Sequence, residues 1–538
     1  MLSRESGTLI PQQTIVRGIS NMSVVDASFF ANEAFLWHSV VAVVAGLMIS
    51  SFFYRKQQVC PWMKVPGSLP LLGHLPYVGG LPYLVTKLEE WADTYGGENG
   101  CYEIDMPLVN YLVVCREDRA LEIFKQRPRK IARPSAIRES TNSIGANGIF
   151  SAEGEEWKKE HKLIAAALNR SNTEEYLPIL KEMAARLIEK WENADVGSSV
   201  AINNDLGGMT ADSISKVMFD RDFDFLNHPE SQTASSVRTV MRGALSRALS
   251  PIYYWRIPII GQYFDGVGFA VNHVRDIVFN AVVGCQTEGT TGEKSTFLHK
   301  LISLMRTENS TIPRDRIVGN AITLFLAGTD TTEKALVQVL YLLATKPDLQ
   351  RELHKEVAEL DWIEASYDEL YTLTPRLKSF LHETHRHIAM PMLMLSTVAD
   401  IPFCGTTLRA GQDIFMLNRY CSTQLTSPSK DVPTTGLDNS TAMPPNEFNP
   451  YRYLFRDEKG ALTCPDPSTK ASGFLSFGYG VRACPGRQYS EVLSYCVLTA
   501  ILQTFEFELA PNHPTVDQLY DARMISPSCE IQLKLTKR

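Results

Sequence analysis

The chain has 538 residues, 44% hydrophobic and 21% charged, the make-up of a globular protein rather than a disordered or polytopic one. Its formal net charge of -7 gives no support for a nucleic-acid partner. Ten cysteines are scattered without a Cys-x-x-Cys pair, so neither a zinc site nor a dense disulfide scaffold is expected, and the spread suits a reducing compartment.

In chain order, residues 1–33 precede the first strong signal. From Ala34 to Tyr54 the chain carries no formal charge; at roughly 1.5 Å per residue the segment spans about 31 Å, the thickness of a hydrocarbon core. The expectation is one transmembrane anchor at 34–54, with a buried core helix as the competing reading. The apolar run is too long and too far from the start for a cleaved signal peptide. Arg55, Lys56 and Lys64 follow it while Asp26 and Glu33 precede it, which puts the main body in the cytosol and residues 1–33 across the membrane. Residues 55–80 hold Pro61, Pro66, Pro70 and Pro76, a stiff hinge that cannot continue the membrane helix. One large domain is expected over 81–538.

Within it, residues 101–118 read as short strands. Helical patterns dominate from about 155 to 390, for example Tyr176 to Ala194. After Met390 the chain turns strand- and loop-rich until a last helix near Gly486. The expected fold class is mainly α with a minor β-sheet region.

The segment Pro313 to Thr345 reads as a core helix, with Pro at its first turn and Pro347 past its end. Its middle holds Ala327-Gly328-Thr329-Asp330-Thr331-Thr332. These are poor helix formers, and a buried Asp is costly without a partner. The pattern suits a helix that opens locally beside a ligand and delivers protons there; a cap box starting a second helix is the alternative. Thr374-Pro375 is expected to cap a helix on which Glu383 and Arg386, at i and i+3, pair. Phe448-Asn449-Pro450-Tyr451-Arg452-Tyr453 is a proline-fixed turn with a single Arg, and by itself reads as surface.

The strongest feature is Phe477-Gly478-Tyr479-Gly480-Val481-Arg482-Ala483-Cys484-Pro485-Gly486-Arg487. Glycines 478, 480 and 486 let backbone approach a flat ligand and take conformations closed to other residues. Cys484 precedes a helical pattern and has basic neighbours, and both favour its thiolate. A buried structural cysteine is the competing reading.

Phe477-x-x-Gly480-x-Arg482-x-Cys484-x-Gly486 resembles the heme-ligand loop of the cytochrome P450 family at every defining position. The order of anchor, hinge, Ala-Gly-x-Asp-Thr-Thr, Glu-x-x-Arg, aromatic-x-Pro-x-Arg and cysteine loop resembles it too, over roughly residues 60 to 538. The resemblance implies the P450 fold, heme b (iron protoporphyrin IX) as cofactor, and a monooxygenase that inserts one oxygen atom of O2 into an apolar, lipid-like substrate. It implies Cys484 as the iron ligand with Phe477 beside it, Arg482 at a heme propionate, and Glu383, Arg386 and Arg452 as a structural triad. Asp330 and Thr331 would be the acid–alcohol pair that delivers protons. Two positions depart from the family pattern. His161 stands four residues after Trp157 where Arg is frequent, and Ser396 lies near the place of another propionate-binding Arg. Trp157 and His161 remain candidates for that contact.

No flavin or nicotinamide fingerprint is present, so electrons come from elsewhere. The resemblance implies an NADPH-dependent diflavin reductase, with cytochrome b5 as a further donor. Lys158, Lys159, Lys162, Arg170 and Arg487 would form its basic docking face. The anchor implies membrane lipid as a partner and the endoplasmic reticulum as location, with a cytosolic catalytic domain. Pro251 to Trp255 is an aromatic patch for an access route or for the core. A heme-thiolate isomerase or dehydratase, or a heme sensor, is the alternative function; the Asp330-Thr331 pair counts against both.

Overall fold

The computed structural model describes residues 61–78, 83–107, 109–194, 198–248, 250, 253–257, 261, 264–287, 296–308, 312–388, 392–424, 444–467, 473–511 and 530–538. The expected anchor at 34–54 and the segment 1–33 lie outside these residues, as does the part of the hinge before Pro61. Among the described residues no helix is long and apolar enough to cross a membrane.

The body is mainly helical with small sheets. Seven helices build the site, numbered here in chain order: α1 (Gly154–Ala167), α2 (Arg170–Glu192), α3 (Ile202–Phe219), α4 (Arg314–Ala344), α5 (Pro347–Val357), α6 (Pro375–Ile388) and α7 (Arg487–Thr504). Residues 101–118 form a hairpin, Cys101–Met106 against Val109–Val114, before a helix begins at Glu117. The hairpin joins a six-stranded sheet, in order 63–64, 101–106, 109–114, 413–416, 393–397 and 131–132.

α4 packs along α3, and α7 packs along α2. α7 is buried on every side from Val492 to Leu502, as a helix that is apolar all round must be. α4 runs unbroken for 31 residues. The expected local opening is not there, and neither is a second helix start. The physical reason is hydrogen bonding within the helix: Thr323, Thr329 and Thr331 turn their hydroxyls back to the carbonyls of Gly319, Phe325 and Ala327, at 2.7, 2.9 and 2.7 Å. Each Thr thus satisfies its own polar group without breaking the ladder.

The start of α6 corrects a second expectation. Thr374 does not cap it; its hydroxyl goes back to Leu370 O at 2.6 Å. The free amides of Arg376 and Leu377 are taken by the Glu356 carboxylate of α5, at 2.9 and 2.8 Å. A cap supplied from another helix satisfies the same orphan donors.

Candidate functional site

The loop before α7 is closed by its own backbone. Gly478 N–H donates to Leu475 O, Ala483 N–H to Gly480 O, and Cys484 N–H to Phe477 O at 2.8 Å. Gly478 and Gly480 sit at φ +74° and +69°, which only glycine adopts at no cost. A Cβ on Gly480 would meet no protein atom within 4 Å, so the space beside it is open. Gly486 has an ordinary φ of -87°; its backbone needs no glycine, contrary to expectation. Ser476 Oγ donates to His385 O at 2.7 Å, and Phe477 meets the His385 ring edge-on at 5.3 Å. The loop is thereby fastened to α6.

Cys484 is accessible to solvent and lines a cleft of about 560 Å³ with Leu168, Arg170, Tyr367, Lys378 and Glu491. Burial is the dominant influence on its thiol and raises it; the amides of Gly486 and Arg487 and the Arg487 charge work the other way. The protein alone therefore does not hold the thiolate expected from helix and basic neighbours, because desolvation outweighs them. A metal cation at the sulfur reverses that balance outright.

On α4, Ala327 and Thr331 are exposed although the helix around them is buried. They are four residues apart, on one face, which the neighbouring elements leave uncovered. Thr332 donates to Ser490 Oγ of α7 at 3.2 Å, which ties this stretch of α4 to the helix that follows Cys484. Asp330 is half-buried, with Lys334 Nζ 2.5 Å from its Oδ2.

A third group gathers where α1 meets the loop. Arg482 stacks on the Trp157 ring at 4.1 Å, donates to Ala152 O at 2.9 Å and pairs with Glu153. Trp157 and His161 lie 4.8 Å apart. Arg127 and Arg133 join them, unforeseen from sequence. Burial and the Arg127 charge hold Arg482 down to about 10, opposed by Glu153. Burial, then Arg127 and Arg482, hold Arg133 down to about 9. His161 is lowered by burial and Arg482. Arg127 is 7% exposed, and among the described residues its Nε and Nη2 have no partner, nor has Arg482 Nε. Unpaired buried guanidinium N–H groups are expensive. Three arginines and the neutral imidazole of His161 gathered about the Glu153 carboxylate are a cradle for a ligand bearing carboxylates, as the propionates of heme are. The signal in the sequence is the pair of Arg-Pro steps, Arg127-Pro128 and Arg133-Pro134. Ser396 takes no part: it bonds to Asp413 on the neighbouring strand.

The structure also brings Glu383, Arg386 and Arg452 together, at full burial for the first two. Arg386 Nε and Nη2 hold Glu383 bidentately at 2.8 Å each, and Arg452 Nε reaches both oxygens at 3.1 Å. Asn449 N–H adds a bond at 2.9 Å. The turn that reads as surface is thus clamped to α6. Burial alone would raise the Glu383 carboxyl, but hydrogen bonds from Arg386 and His387 and the charges of Arg386 and Arg452 bring it down to about 2. On the outer side, the expected basic face is largely neutralised: Lys158 pairs with Glu155, Lys162 with Glu308, Arg170 with Glu174 and Asp368, and Arg487 with Asp466 and Glu491.

These features agree with what sequence comparison finds. The chain is 24% identical over 466 residues to protein LUTEIN DEFICIENT 5, chloroplastic, of Arabidopsis thaliana, covering 83% of this chain and 73% of that one. It is 25% identical over 390 residues to the mitochondrial sterol 26-hydroxylase of Oryctolagus cuniculus, 68% of each chain. It is 22% identical over 457 residues to the bifunctional cytochrome P450/NADPH–P450 reductase ascE of Acremonium egyptiacum, 83% of this chain and 40% of that one. The profile of the cytochrome P450 family matches residues 63–426 and 434–535. With a solvent-accessible cysteine on a glycine-fixed loop, a cradle of arginines whose donors are not all used and a match that runs over nearly the whole folded body, this chain belongs to the cytochrome P450 family, the heme-dependent monooxygenases.

Proposed function

We propose that this monooxygenase hydroxylates a lipid-like substrate of the sterol or terpenoid class, drawing electrons from NADPH through a separate diflavin reductase at the endoplasmic reticulum membrane. The observation that carries the reading is the apolar segment 34–54, which would place the body at the surface where such substrates partition. The names of two relatives, a sterol 26-hydroxylase and a protein whose name refers to lutein, support the substrate class. The fused reductase of a third supports the electron donor. Those relatives carry different compartments in their names, so the location rests on residues 34–54 alone.

Cys484 would supply the thiolate that holds the heme iron in this reading. Arg127, Arg133, Arg482 and His161 would hold the heme carboxylates, Trp157 braces Arg482, and Gly480 leaves open space beside the loop. When bound, heme supplies the redox chemistry that activates dioxygen and oxidises a C–H bond. The residues of α4 manage protons. Thr331 is exposed on its face of α4 with its hydroxyl hydrogen held by Ala327 O, and Asp330 beside it is the acid that re-supplies it, kept in place by Lys334. Glu383, Arg386 and Arg452 hold the framework and touch no reactant.

The test begins with the ferrous, carbon-monoxide-bound spectrum of the wild type beside Cys484→His. A strongly red-shifted Soret band that the variant loses supports thiolate ligation; a histidine-type band in both rules it out. Sterols, terpenoids and fatty acids are then titrated in the presence of NADPH and diflavin reductase. Product from a sterol or terpenoid supports the substrate class, and turnover of fatty acids alone rejects it.

A further inference from the structure

Glu333 is a feature of α4 that these roles leave unexplained. It stands three residues after Asp330, so the two carboxyls share a face. At about 100° per residue, the order around the helix is Glu333, Asp330, Thr331. Glu333 lies in the seam between α4 and α3, where a Cβ on Gly207 of α3 would come within 3.4 Å of its Oε2. It is half-buried, so water reaches it. Among the described residues its carboxyl has no hydrogen bond or ion pair, since the neighbouring Lys334 gives its charge to Asp330. Burial and then the Asp330 charge raise Glu333 to about 7, against the pull of Lys334. A surface Glu beside a Lys is charged and paired at neutral pH; this one is poised to change protonation there.

We propose that Glu333 is the proton intake of the site: it collects a proton from solvent in the α3–α4 seam and passes it to Asp330, which hands it on to Thr331. This rests on the reading of Asp330 and Thr331 as the proton-delivering pair. Glu333 acts through Asp330 and touches no reactant. Only a proton moves: Glu333 gains one from water, loses it to the Asp330 carboxylate and is ready to be recharged. The charged groups facing it on α4 are Asp330 and Lys334. From α3 the facing residue is Gly207; Asp205 on that helix is held by Lys190 and Trp191, and Lys216 by Glu182.

The first measurement is an infrared pH titration of the full-length ferric holoprotein without reductase, wild type against Glu333→Gln. A carboxyl C=O band that disappears as pH rises through about 7 is expected in the wild type and lost in the variant. The second is product formed per NADPH across pH for the wild type, Glu333→Gln and Glu333→Asp. Wild-type yield is expected to fall as pH rises through the same range, Gln to remove that limb with a raised solvent isotope effect, and Asp to restore it. Absence of the titrating band, or a Gln variant with an unchanged pH profile, overturns the proposal. Asp330→Asn separates the two levels. If it uncouples turnover while Glu333→Gln does not, Glu333 alone is excluded; if neither does, the proton pair itself falls and the intake with it.

Discussion

Two clusters of arginines, each about one glutamate, are built on opposite principles in this protein. Around Glu383, Arg386 gives its donors to the carboxylate and to the carbonyls of Ser422 and Pro445, while Arg452 adds the carbonyls of Pro444 and Glu447. Around Glu153, Arg127 and Arg482 keep nitrogens without a partner among the described residues, and the arginines Arg127, Arg133 and Arg482 are all pushed below the ordinary guanidinium range. A closed cluster is complete when the chain has folded. An open one is complete only when a ligand brings the missing negative charge. The balance of donors and acceptors thus separates a framework from a binding site without reference to which residues a family shares.

The largest effect that would break this contrast comes from the closed cluster. Glu383→Ala leaves the Arg386 and Arg452 charges without their carboxylate and is expected to cost about 3–5 kcal/mol, read as earlier thermal loss of the ferrous carbon-monoxide band. The pH dependence follows from the same carboxylate. Its folded value of about 2 lies below the ordinary 4.5, so its contribution is whole above pH 4.5 and is lost as pH falls towards 2. Glu383→Gln is expected to remove that acid limb from the stability profile, and an unchanged limb would mean that other carboxylates govern it.

The open cluster gives the sharper test because its sign reverses with the ligand. Arg127→Met removes an unsatisfied buried cation and is expected to stabilise the heme-free protein by about 1–3 kcal/mol, while heme is retained less tightly. Parallel melting curves of apo and holo forms check it; destabilisation of both forms would make Arg127 part of the framework. The smallest expected effect is at the α6 cap. Glu356→Gln keeps the shape but weakens the charged acceptor for two amides, costing about 0.5–2 kcal/mol with no change in the Soret band.

Much of this was legible in the sequence where the physics is local. The expected span Pro313 to Thr345 matches α4, Arg314–Ala344, to within a residue at either end, because a proline's missing N–H fixes where a helix can start. Glu383 and Arg386 meet because three residues are nearly one turn. Gly478 and Gly480 report backbone conformations that other side chains resist. What escaped depends on distant partners. Glu356 caps α6 from another helix, and the convergence of Arg127 and Arg133 on Arg482 is set by the packing of separate segments. The expected opening of α4 failed because three threonines each found an acceptor one turn back, which residue propensity cannot anticipate. Nothing in the sequence singles out Glu333; its place in the seam against Gly207, with Lys334 given to Asp330, comes from the packing of α3 on α4.

The unbroken α4 has a consequence for how this enzyme can change. Thirty-one helical residues make a strut of about 46 Å, with every back-bonded Thr fixing its own place on it. Segments away from the strut, such as the aromatic turn Tyr253 to Trp255 anchored on Arg247 and Asp265, are free to vary in shape and polarity without disturbing the proton-handling face. A lineage, or an engineer, can therefore exchange the compound that is accepted while inheriting the oxidising apparatus intact.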